Sequence, residues 1–305
     1  MIRFGLCCIF RDQPIKFSNT TAKSLSAVTR DFALAKLADL CLANAEALMR
    51  ALHFCADNEI GCFRINSQIM PMRTHPQHGY NTGDLPAGDE IVRSFRHCKE
   101  FARTSGLRLS FHPDQFVVLN SQRPEVVDAS IRELEYQAEV ADWVGADVIN
   151  IHAGGAYGDK REALTSFARS LDRLSAGARS RLTVENDDRI YSPSDLLPVC
   201  REEGIPLVYD VHHHRCNRDV LSEEEATEQA MSTWDREPLL HISSPAEGWN
   251  RRKPERHHDF IDIDDFPPYW QNLCLTVEVE AKAKEVAVLE LMRCLNSREV
   301  PRRLS

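Results

Sequence analysis

LRLSFH at 107–112, DVINIH at 147–152, RLTVEN at 181–186, PLVYDV at 206–211, PLLHIS at 238–243 and CLTVEVE at 274–280 share one design. Each is a short run rich in Leu, Ile and Val that carries, at or just past its end, an imidazole or a carboxylate: His112, His152, Glu185, Asp210, His241 and Glu280. Apolar runs of this length read as strands buried on both faces. Successive members of the set lie 40, 33, 25, 31 and 39 residues apart, about one strand plus one crossover helix. If parallel strands each end in one such group, the side chains gather at a single rim, where a β/α barrel keeps its chemistry. The expected fold is α/β, a single (β/α)8 TIM-type barrel with a polynuclear metal site at the C-terminal rim of its strands.

Outward from these runs, IRFGLCCI at 2–9 and GCFRIN at 61–66 complete a set of eight strands. Helical patterns fall between them at 23–55, 89–104, 124–143, 160–175, 193–203, 222–235 and 282–294. The clearest is 124–143: Pro124 opens it, Val127, Ile131, Leu134, Ala138 and Ala141 recur at three and four residues, and Gly145 stops it. An open doubly wound sheet also alternates strand and helix, but eight repeats with ligands on six strands favour closure. The domain expectation is a barrel over 1–295 and a short polar tail over 296–305. The longest irregular stretches, 66–88 and 243–258, both follow strands on the active rim.

Composition bounds the function. At 305 residues, 43% hydrophobic and 27% charged, the chain suits one large core. The formal net charge of −9 argues against coating nucleic acid by bulk charge. It does not exclude a phosphodiester substrate, because divalent ions bound among carboxylates reverse the local sign. The ten cysteines are scattered without a C-x-x-C pair, mostly in apolar stretches such as those of Cys7, Cys62 and Cys274. Buried, reduced thiols in a cytoplasmic protein are expected. MIRFGLCCIFRDQ lacks a small-residue cleavage site, and no apolar run reaches the 18 or so residues of a membrane helix.

Taken singly, the polar residues are ambiguous. Asp210 and His213 of YDVHHH form a compact pair, yet a strand-end Asp capping the next helix, with exposed histidines, explains them equally well. The glycines after His152 permit close approach of a phosphate or merely a sharp turn. Glu185 and Glu280 speak more strongly, because an acid inside such a run is desolvated unless a cation compensates it. For Glu280 the plain alternative is an ion pair with Lys282 or Lys284. The collective pattern favours a metal, and imidazole with carboxylate but no thiolate suits Mn²⁺, Zn²⁺ or Fe²⁺. No G-x-S-x-G elbow, P-loop or G-x-G-x-x-G fingerprint is present, and no cysteine has a nucleophile's context.

The ordered motifs HPDQF (112–116), IHAGG (151–155), VENDD (184–188), YDVHH (209–213), HISSP (241–245), HHDF (257–260) and EAKAKE (280–285) resemble the UV damage endonuclease family over nearly the whole chain. The resemblance implies a β/α barrel with up to three divalent ions, usually manganese with zinc or magnesium as alternatives, that nicks damaged double-stranded DNA on the 5′ side of cyclobutane dimers and 6-4 products. It further implies His75, His112, His152, Glu185, Asp210, His213, His241, His257 and Glu280 as metal ligands, with His258 competing for the role of His257. Glu185, Asp210, His241 and Glu280 would carry the catalytic centre. Gln115 and Phe116 would probe the duplex, although Phe116 with Val117, Val118 and Leu119 also reads as an ordinary apolar patch. Lys160, Arg189, Arg251, Arg252, Lys253, Lys282 and Lys284 are candidate phosphate contacts, or simply solubilising charges. The sequence departs from the family at Leu239, where members often carry a lysine close to the metals. A monomer without membrane association or nucleotide cofactor is expected. The rival expectations are a metal-dependent sugar isomerase or epimerase on the same barrel, and a lesion-binding relative without chemistry.

Overall fold

The structure, a computed structural model, describes residues 2–299. Eight parallel strands close into a barrel in sequence order: β1 (Ile2–Cys7), β2 (Cys62–Ile65), β3 (Arg108–Phe111), β4 (Val148–His152), β5 (Leu182–Glu185), β6 (Leu207–Asp210), β7 (Leu239–Ile242) and β8 (Leu275–Val279), with β8 returning to pair with β1. All eight lie within the runs read from the sequence. Among the described residues, ten helices surround them: α1 (Ala22–Ser26), α2 (Arg30–Asp57), α3 (Gly88–Thr104), α4 (Pro124–Val144), α5 (Lys160–Leu171), α6 (Ala176–Arg179), α7 (Pro193–Glu203), α8 (Val211–Cys216), α9 (Glu223–Met231) and α10 (Glu285–Glu299).

Local chemistry sets the helix boundaries. Pro124 stands in the first turn of α4, and Gly145, at φ +80°, ends it in the left-handed conformation that a side chain would resist. Two expected helices, 23–55 and 160–175, divide or stop short where a hydroxyl caps a new start, and a hydroxyl also sets the start of a third. Thr29 accepts the Phe32 amide and separates α1 from α2. Ser175 accepts the Ala178 amide and begins α6. Ser222 and Glu225 form a capping box that starts α9. Helix α10 continues to Glu299, so the first residues of the expected tail 296–305 extend that helix, and residues 300–305 lie outside the described ones.

The barrel is packed in layers. Alternation along a strand sends every second side chain inward. Two residues below each strand-end group therefore sit Ser110, Asn150, Thr183, Val208, Leu239 and Glu278, all buried. The outward residues of β8, Leu275, Val277 and Val279, join the main apolar core. Six of the ten thiols are buried and all are free, whereas Cys274 is exposed. It precedes the first residue of β8, at the N-terminal end of the barrel, and so never enters the core.

Candidate metal centre

The strand ends converge at the rim as a cluster of imidazoles and carboxylates around Glu185. Pairing in register sets His152 beside Glu185 and Asp210 beside His241. Glu185 Oε2 lies 3.1 Å from His112 Nε2, and its Oε1 lies 3.2 Å from both His213 Nδ1 and His241 Nδ1. His241 Nδ1 is 3.5 Å from Glu280 Oε1, and Glu280 Oε2 is 3.8 Å from His257 Nδ1. The His152 ring centre stands 5.4 Å from that of His112 and 5.8 Å from that of His213.

Asp210 makes the helix cap that the sequence offered as the plain alternative and keeps its second carboxylate oxygen out of it. Its Oδ1 accepts the His213 amide at 2.8 Å and caps α8, which turns the His213 ring back toward the cluster. Its Oδ2 is buried without a hydrogen-bond partner. His212 and His214 are buried, not exposed, because α8 packs inward against β7 and the loops beyond it. His214 bonds Tyr209 Oη at 2.8 Å and Asp219 Oδ1 at 3.0 Å.

The residues fit a divalent metal. Two groups, His112–His152–Glu185 and Glu185–Asp210–His241, each bring one ligand atom per residue within 4.8 Å of the others, and Glu185 belongs to both. Glu185 Oε1, Asp210 Oδ2, His241 Nδ1 and His152 Nδ1 are all buried without a hydrogen-bond partner. Each such polar atom costs about 1–3 kcal/mol unless something coordinates it. Imidazole and carboxylate without thiolate make a donor set suited to hard or borderline cations.

Electrostatics agree. Burial pushes the Glu185 carboxyl up, but the imidazoles of His241 and His152 override it and hold the group well below the usual carboxylate range. Burial lowers His241, yet the Glu185 charge lifts it to about 10. His213 is likewise raised well above an ordinary imidazole by Asp210 and Glu185 against the opposing effect of burial. His152 is lowered, chiefly by burial. The carboxylates create a field that demands positive charge in a place withdrawn from water.

Three interior residues, Arg64, Glu278 and Asn150, escaped the sequence reading. Arg64 on β2 is buried, with Nη1 2.6 Å from Glu280 Oε1, Nη2 2.5 Å from Glu278 Oε2 and Nη2 3.0 Å from His241 Nε2. Its partner Glu278 also accepts a hydrogen bond from Ser110 Oγ. Burial raises the Glu278 carboxyl, and Arg64 outweighs it, holding the group at about 2. Glu280 therefore pairs with Arg64, and no ion pair joins it to Lys282 or Lys284 among the described residues. Asn150 holds Glu185 Oε2 at 2.5 Å, and Thr183 Oγ1 in turn donates to Asn150 Oδ1 at 3.0 Å. The signal was available: Glu278 and Asn150 stand two residues before Glu280 and His152, on the same strand face, and Arg64 interrupts an apolar run. Leu239 is buried with Val148, Val208 and Trp234, leaving no ionisable group at that position.

The remaining predicted residues scatter around the rim. His75 Nδ1 accepts the amides of Gln77 and His78, and neither ligand group includes His75. It lines a cavity of about 360 Å³ with Asp114 and Phe116. His257 faces Glu280, whereas His258 is exposed and its Nδ1 accepts the Phe260 amide at 3.0 Å. Gln115 is exposed, and Phe116 is 75% exposed rather than part of an apolar patch, while Val117 and Leu119 turn inward. Lys160 is engaged with Asp195 at 2.7 Å, and Arg189 with Asp188 at 3.1 Å and Glu255 at 3.4 Å. Arg251, Arg252, Lys253 and Lys282 are exposed. Thiol chemistry has no support: burial pushes Cys8 up to about 11 and Cys55 to about 12.

A family model described as UV-endonuclease UvdE matches residues 2–304. The UV DNA damage endonuclease of Bacillus cereus (strain Q1) is 32% identical over 281 residues, which covers 88% of this chain and 86% of that protein. The solved structure of SacUVDE superposes with a TM-score of 0.86 at 28% identity, covering 98% of this chain and 99% of its own. Endonuclease IV from Thermus thermophilus shares the fold, with a TM-score of 0.62 at 15% identity over 97% of this chain and 98% of its own.

Proposed function

We propose that this chain, which belongs to the UV-endonuclease UvdE family and is a DNA repair endonuclease, nicks duplex DNA on the 5′ side of cyclobutane dimers and 6-4 products. The observation that carries the reading is the set of buried, unpartnered ligand atoms on Glu185, Asp210, His241 and His152. His75, His112, His152, Glu185, Asp210, His213, His241, His257 and Glu280 would hold up to three divalent ions, manganese before zinc or magnesium. Such ions supply Lewis-acid polarisation of water and of the scissile phosphate.

The chain's own residues prepare that chemistry. Glu185, shared by both ligand groups, bridges them, and Asn150 fixes its orientation. From beneath the site, Arg64 keeps Glu278 and Glu280 ionised. Hydrolysis adds water to phosphorus and breaks the bond to the 3′ oxygen, leaving a 3′-hydroxyl and a 5′-phosphate. Gln115 and Phe116, exposed at the tip of the loop after β3, are suited to fill the space left when a damaged dinucleotide leaves the stack. A lesion that already stacks poorly costs less to extrude, so distortion rather than one adduct sets the preference. The buried free thiols fit a reducing cytoplasm, and we assign the activity to a monomer there without a nucleotide cofactor.

The test is an end-labelled duplex carrying one cyclobutane dimer, incubated with manganese and the protein beside an undamaged duplex and a Glu185→Gln variant. A single cut 5′ of the dimer by the unaltered chain alone is expected. Equal cleavage of both duplexes, or full activity in the variant, overturns the reading.

A further inference from the structure

The segment GGAYGDK (154–160), which leads from β4 into α5, holds an aromatic ring where stability favours none. Tyr157 has φ +49°, in the left-handed region that side chains resist, and it is 47% exposed. A glycine would hold the same backbone freely and expose no ring.

The loop around it is fixed. Gly154 has φ +89°, and a Cβ there would meet Asn120 Oδ1 at 2.3 Å. The Gly155 carbonyl accepts from Asn120 Nδ2 at 2.8 Å and Tyr191 Oη at 3.0 Å. One side of the Tyr157 ring rests on Gly155, where a Cβ would come within 2.8–3.1 Å of Cζ, Cε1 and Cε2. Nearly half of the residue remains open to solvent at the rim, five positions beyond His152. Asn120 also ties this loop to the segment that carries Phe116. Strain of this kind persists where surrounding contacts over-determine it and the site has a use for it.

We propose that Tyr157 is a stacking platform for a nucleobase of the DNA substrate, a second aromatic contact besides Phe116. The inference rests on the reading of damaged duplex DNA as the substrate. An aromatic face accepts any base, needs no hydrogen-bond code, and binds best when it is held rigidly. Lys160, three residues on, is committed to Asp195, so the ring is the feature this loop offers to DNA.

Single-turnover nicking of the dimer-bearing duplex, titrated with protein, gives both the half-saturating concentration and the limiting rate. Tyr157→Ala and Tyr157→Gly are expected to raise the half-saturating concentration about 5- to 150-fold, the worth of one lost stack, and to change the limiting rate much less. Tyr157→Phe should stay within about twofold, because it keeps the ring. Thermal melting of Tyr157→Gly should match or exceed that of the unaltered chain, which a ring serving only as a cover for Gly155 would not allow. Unchanged saturation in Tyr157→Gly, a Phe variant as impaired as Ala, or a lower melting temperature in Tyr157→Gly overturns the proposal. If the unaltered chain cuts no damaged duplex, the functional reading falls and takes this inference with it. If it cuts normally and only the variants behave alike, this inference alone falls.

Discussion

Glu185 is the residue on which the site turns, because its two oxygens reach His112, His213 and His241 from the end of a single strand. Glu185→Gln keeps the volume and removes the charge. Its loss should exceed the ~10–100-fold that an outer partner's removal costs in metal affinity or activity, as read by nicking rate and metal titration. Arg64 governs the layer beneath. Arg64→Met leaves Glu278 and Glu280 buried without their cation, and urea denaturation should show a loss of about 3–5 kcal/mol, partly recovered when Glu278→Met accompanies it. The strand-end candidate ligands were legible because an imidazole or acid in a strand buried on both faces is an anomaly. Arg64 and Glu278 stood out less, since they satisfy one another below the rim. His257 was separable from His258 only by tertiary structure: it sits in a loop, opposite Pro245 in an isolated bridge, where no period applies.

The short helix α8 shows how an element carries a candidate ligand. Asp210 caps its start, and Asp219 secures its far end by accepting from His214 Nε2 at 3.0 Å while taking the amides of Ser194 at 2.7 Å and Leu221 at 2.8 Å. Burial raises the Asp219 carboxyl, but these backbone amides and His214 overcome it and lower the group from the ordinary 3.8 to about 2. A lowered carboxyl contributes stability that is complete above about pH 4 and lost as pH falls toward 2. Asp219→Asn should therefore be less stable than the unaltered chain at pH 7. The gap in urea midpoint should close between pH 4 and 2, and a constant gap across that range would contradict the assignment. Strands and the long helices were readable from period and punctuation, whereas α8 was not. Six residues give too little periodicity, and the only sequence sign was the strand-end Asp, which serves cap and site together.

On the scale of the whole molecule, a closed barrel turns six distant segments into one rim, which is why regular spacing along the chain sufficed to foretell its architecture. The stretches 66–87 and 243–258 beyond the rim have no such regularity, and the placement of His75, Arg251, Arg252 and Lys253 came from packing alone. No helix among the described residues is long and apolar enough to cross a membrane. The chain's net charge is −9, so we propose that its attraction to DNA is local, through residues such as Arg251, Arg252 and Lys253. Arg252→Ala is expected to weaken duplex binding uniformly across sequences and to reduce the slope of log affinity against log salt by about 1. An unchanged slope would remove Arg252 from the interface. The most direct test of the account is equilibrium dialysis of the folded chain against manganese, followed by element-specific quantification. More than one tightly held ion per chain, with clear loss in Glu185→Gln, is predicted; a folded chain that retains none would contradict the convergence of these six strands on a metal centre.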